Sequence, residues 1–206
     1  MKRSMMALVC ALSVSAASNA TTTRTGLVDS ADAKNVALLV GVSYGLPGID
    51  LDIKNVKEIA SHPGYRFDTH ELWEEAGVVS NVAKNLTDLA ESVDEDGTLF
   101  FYFSGHGSSE GVLMNDRLMK IGEIRAAIEA GRKNKKPLER LVMMFDSCYS
   151  GALVNPLRAN MTRAQQEKAN EDFTNSLVNE LQSVNRGQQY WKKLFVFASS
   201  RADETS

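Results

Sequence analysis

Cysteine is almost absent from this chain of 206 residues, which has two, Cys10 and Cys148. Cys10 falls in a leader that reads as removable, so the mature chain can form no internal disulfide and keeps Cys148 as an odd thiol. Histidine is nearly as scarce. His62, His70 and His106 are scattered, and with one cysteine they give no metal-ligand spacing. No block of Lys or Arg stands out, and the net charge of -3 with a pI near 5.7 comes from interspersed charges. Nothing there would neutralise a phosphate backbone, which argues against nucleic acid as a partner. Apolar runs stay short of the roughly 20 residues that cross a bilayer. Internal repeats and low-complexity tracts are missing as well.

What is present begins with a leader. Lys2 and Arg3 precede an apolar stretch from Met5 to Ala17 that ends in Ser18, Asn19 and Ala20. This is the pattern of a secretory signal peptide cut after Ala20, so the expectation is an exported protein, periplasmic or extracellular, with no stable membrane span after cleavage. Residues 21–34 are polar, small and without period, and read as a flexible leader. Residues 35–206 fit a single domain, since a chain with 43% apolar residues can bury one good core.

Within that domain, apolar runs of strand length alternate with helical patterns. Asn35 to Val42 is continuously apolar, as in a strand covered on both faces. Ile49, Ile53, Val56 and Ile59 then recur at helical spacing until His62-Pro63-Gly64. A strand is expected near 69–73, and a helix capped by Ser80 carries Val82, Leu86, Leu89 and Val93. Further strands are expected over 98–103, 141–145 and 194–198, with a small hairpin over 111–118 and a helix over 121–130. The polar stretch 155–190 reads as a helical insertion or linker with Phe173, Leu177 and Leu181 on one face. The alternation predicts an α/β fold, a three-layer α/β/α sandwich around a mostly parallel sheet. The polar stub after Ala198 suggests that the C-terminal part of the domain is incomplete.

Ligands of open parallel sheets bind beyond the carboxyl ends of the strands. Two motifs sit at such ends, Ser-Gly-His-Gly around His106 and Asp-Ser-Cys-Tyr-Ser-Gly around Cys148. Taken singly, a lone cysteine is usually a small buried hydrophobe and a lone histidine a surface residue. Side by side they offer a nucleophile and a proton carrier for acyl transfer. Gly105, Gly107 and Gly151 clear side chains from the same region, and the Gly107 and Cys148 amides are candidates for an oxyanion hole. His62 and His70 keep a structural reading.

Phe-Ser-Gly-His-Gly followed by Asp-Ser-Cys-Tyr-Ser-Gly resembles the caspase superfamily of cysteine peptidases, and its metacaspase and bacterial branch more than the animal caspases, which carry Gln-Ala-Cys. The resemblance runs from Val36 to about Ala202 and implies a caspase-like fold and a Cys-His endopeptidase acting on protein or peptide substrates. Three positions match the acidic pocket of metacaspase-like enzymes: Asp52, Ser104 and Asp146. Two carboxylates would pair with a cationic side chain, so cleavage after Arg or Lys is expected. The bland reading of Asp52 is an acid at a helix N-terminus. No cofactor is required. Metacaspases often need calcium, but Asp94, Asp96 and Asp116 are scattered acids that define no site. The competing reading is a non-catalytic scaffold or inactive fragment that keeps the fold to bind a protein partner. Oligomeric state is not legible.

Overall fold

The apolar run at the start of the domain becomes the strand β1 (Asn35–Val42), buried at every position. In this computed structural model, residues 34–108, 110–148, 162–182 and 189–199 are described. The expected signal peptide, most of the 21–34 leader, Gly151, residues 155–161 and 183–188 of the helical stretch, and the final stub lie outside them.

β1 pairs in parallel with β2 (Phe67–Trp73) on one side and β3 (Thr98–Ser108) on the other. β3 pairs in parallel with β6 (Leu138–Cys148), and β6 with β7 (Trp191–Ser199). The parallel order is therefore β2-β1-β3-β6-β7. Two short strands, β4 (Gly111–Leu113) and β5 (Leu118–Lys120), form the expected hairpin and add to the end of β3 in antiparallel sense. This is the mostly parallel α/β architecture that the alternation predicts.

Side-chain alternation along the strands divides the core in two. On one face Ala37, Leu39, Phe100, Tyr102 and Val142 meet Ile53 of α1 (Ile49–Ala60). Ile59, placed on the apolar face by its spacing, is instead 61% exposed, because α1 buries only Ile49, Ile53 and Ala60. The other face is larger. There Leu38, Phe101, Phe103, Met143 and Phe145 pack against α2 (Val79–Ser92), α3 (Ile121–Arg132) and α4 (Arg163–Gln182). α4 is polar overall, and its anchor is Phe173, whose ring meets Phe145 edge-on with centroids 5.4 Å apart. Burying such a ring contributes roughly 1.5–3 kcal/mol.

Two contacts lock α2 to α3. A Cβ on Gly131 would lie 2.2 Å from the Thr87 carbonyl oxygen, so only glycine permits this crossing. Arg132, 1% exposed, donates from Nη1 to the Ala90 and Val93 carbonyls at 2.8 and 2.7 Å, and from Nη2 to Lys136. It thereby satisfies carbonyls that the end of α2 leaves without helical partners.

The start of α2 departs from expectation. The helix begins at Val79, not after Ser80, and Val78 at the N-cap contributes no side-chain hydrogen bond. Instead the Val79 amide donates to Asp116 Oδ1 at 2.9 Å, from the β4–β5 connection. A cap supplied from a distant loop has no local signature.

Candidate active site

β3 and β6 stay in register from Thr98 opposite Arg140 to His106 opposite Cys148. Adjacent strands lie about 4.8 Å apart, so the two motif residues are immediate neighbours on the backbone. Both strands are longer than their apolar runs suggest, at 11 residues each. His106 and Cys148 therefore sit within the sheet's last rungs, not in the loops beyond it.

Glycine makes this extension feasible. Gly105 has φ 156°, and a Cβ there would lie 2.5 Å from the Val42 carbonyl oxygen and 2.9 Å from Phe103 Cζ. Past Gly105, β3 leaves β1 behind, and Gly107 pairs with Val112 of β4. The residue proposed as an oxyanion donor is thus buried where the sheet changes from parallel to antiparallel.

The three expected pocket residues are brought together in part. Ser104 is fully buried, and its hydroxyl donates to Asp52 Oδ2 at 3.0 Å. Asp146 is the register partner of Ser104 across β3 and β6, and is half-buried. Ser104 so links both carboxylate residues, through its side chain to one and through the sheet to the other. Asp52 also lies in the first turn of α1, so its bland reading as an N-terminal acid is true at the same time. Beside Cys148, the Ser147 hydroxyl is buried with no hydrogen-bond partner among the described residues.

Sequence reasoning missed Tyr44. It lies in the turn after β1 with φ 43°, and its ring centroid is 6.5 Å from that of the half-buried His106. Its hydroxyl reaches the Met114 and Asn115 carbonyls at 3.0 and 2.7 Å. Further bonds tie the surrounding loops. The Ser43 amide donates to the Glu74 carboxylate, and the Asn115 amide to the Gly77 carbonyl. The one available signal was Gly45-Leu46-Pro47-Gly48, which marks a turn but not the residue entering it.

The structure gives His62 and His70 local contacts. His62 Nδ1 accepts from the Gly64 amide, and His70 Nε2 lies 3.5 Å from Asp68 in β2. Among the described residues no three His, Cys, Asp or Glu side chains gather as a cation site, and Asp116 is engaged in capping α2.

A family model described as the caspase domain matches residues 34–206. The chain belongs to the caspase-domain family. The mostly parallel α/β sheet is consistent with membership in this peptidase family. Among solved structures, a crystallised protein from Geobacter sulfurreducens is similar at 19% identity with a TM-score of 0.52, covering 80% of this caspase-domain chain and 72% of its own. That likeness concerns the fold. Curated proteins gave no match.

Proposed function

We propose that this caspase-domain protein is an exported cysteine endopeptidase that cuts after Arg or Lys. The observation that carries the reading is the register pairing of His106 with Cys148. In the proposed reaction His106 takes the thiol proton and Cys148 Sγ attacks the scissile carbonyl carbon. The oxyanion forms against the Gly107 and Cys148 amides. His106 then gives its proton to the leaving amine as the C–N bond breaks, and water hydrolyses the thioester.

Selectivity follows from charge. A guanidinium or ammonium group entering this region would meet the carboxylates of Asp52 and Asp146, the first of them oriented by the Ser104 hydroxyl. An acidic side chain would be repelled. The amino-terminal sequence supports export, since a charged start, a short apolar core and small residues before position 21 form a secretory signal.

The test is hydrolysis of fluorogenic peptides ending in Arg, Lys or Asp, with and without calcium. Arg or Lys substrates should be cleaved, and Cys148→Ala and His106→Ala should each abolish turnover. Preferred cleavage after Asp would overturn the specificity. A folded protein inert toward every peptide would favour a binding scaffold.

A further inference from the structure

Tyr44 occupies a backbone conformation that bulky L-residues avoid. A tyrosine at φ 43° is a genuine outlier, and such conformations persist where the surroundings over-determine them, often at functional sites. Here the surroundings are evident. The hydroxyl shares its one proton between two successive carbonyls, the nearer Asn115 and then Met114, on the β4–β5 connection. That connection is held in turn by Asn115 to Gly77 and by Asp116 to Val79. Behind the tyrosine, the Ser43 amide binds Glu74, which is itself at φ 41°.

The ring so held faces the imidazole of His106, with centroids 6.5 Å apart and planes tilted by 49°. That separation falls within the range of favourable aromatic pairing. On the far side of His106 runs β6 with Cys148 as register partner. The histidine therefore lies between a tethered ring and the strand that bears the thiol.

We propose that Tyr44 is a positioning residue: its ring restricts the His106 imidazole to orientations facing Cys148, and its hydroxyl fixes the ring to the β4–β5 connection. The inference rests on the Cys-His reading above. A ring free to swing would leave the imidazole more orientations, and misorientation of a proton carrier lowers turnover rather than substrate binding.

The experiment measures alkylation of Cys148 by iodoacetamide at pH 6.5 in the full chain, followed on the peptide bearing Cys148 so that Cys10 does not interfere. Peptide turnover and melting temperature are read in parallel. His106→Ala sets the rate of a thiol without its partner. Tyr44→Ala and Tyr44→Leu should bring alkylation at least halfway from the wild-type rate to that value. They should also lower kcat roughly tenfold with KM changed less than twofold. Tyr44→Phe keeps the ring and should lose no more than about threefold in either readout. Equal rates in wild type and Tyr44→Leu, with His106→Ala slower, would overturn the inference alone. Equal rates in wild type and His106→Ala would overturn the Cys-His reading and this inference with it. A wild type that cleaves no Arg or Lys peptide but shows the expected alkylation order would leave Tyr44 in its role and remove only the proposed substrate.

Discussion

Ser104 on β3 donates a 3.0 Å hydrogen bond to the Asp52 carboxylate on α1, joining the central strand of the sheet to a helix on one of its faces. The bond orients an acid that would otherwise be one more charge in a helix's first turn.

Replacing Ser104 by Ala should therefore reduce kcat/KM for an Arg peptide about fivefold, the loss expected when an oriented hydrogen bond worth about 1 kcal/mol is removed beside a bound cation. The folded state should change little, since the substitution keeps the small volume of a fully buried position. Asp146→Asn should weaken the preference for Arg over an uncharged residue at the same position. Kinetics on a matched pair of peptides checks both.

Arg132 predicts a purely structural effect. Burial pushes its pKa down, yet its guanidinium satisfies carbonyls at the end of α2. Arg132→Met keeps much of the volume and orphans those carbonyls, at a cost of about 2–3 kcal/mol. Urea unfolding should show the loss, with kcat of the remaining folded protein unchanged.

The carboxyl of Glu139 on β6 is held down to about 2 by hydrogen bonds from Lys193 and Lys192 on β7, against an ordinary value of 4.5. The unfolded chain thus takes up this proton first as pH falls. The stabilisation is complete above about pH 4.5 and is lost as pH falls through about 2. Because both lysines are about half exposed, it should amount to about 1 kcal/mol. Glu139→Gln should be less stable than wild type by that amount at pH 7 and equal to it only below about pH 2, by urea unfolding at each pH.

Asp116 should behave as a helix cap supplied at a distance. Asp116→Ala removes the acceptor of the Val79 amide and should destabilise by about 1 kcal/mol. Asp116→Asn should restore most of it, because an amide oxygen accepts the same bond. If calcium at this residue were required for folding, the Asn variant would fail too.

The parallel core was legible because Val36 to Val42, Leu99 to Phe103 and Leu141 to Phe145 are unbroken apolar runs of strand length, the pattern of strands covered on both faces. The ends of β3 and β6 were not. Ser104 to Ser108 and Asp146 to Cys148 are polar or glycine-rich, and they become strand because a neighbouring strand is there to pair with, a fact no local pattern carries. The link between Ser104 and Asp52 followed from motif resemblance, while Tyr44 did not, since its place beside His106 depends on the β4–β5 hairpin folding back to bind its hydroxyl.

The pairing of β3 with β6 has a consequence for how function and folding are coupled. The two strands are parallel, so a hairpin cannot join them. The chain between them runs through β4, β5 and α3. Such non-local closure carries a large entropic cost early in folding and is recovered only when the sheet is complete. No local fragment holds both His106 and Cys148 in register. On the proposed Cys-His reading, the His106-dependent part of the thiol's reactivity should report the cooperative transition, present only when the whole sheet is formed.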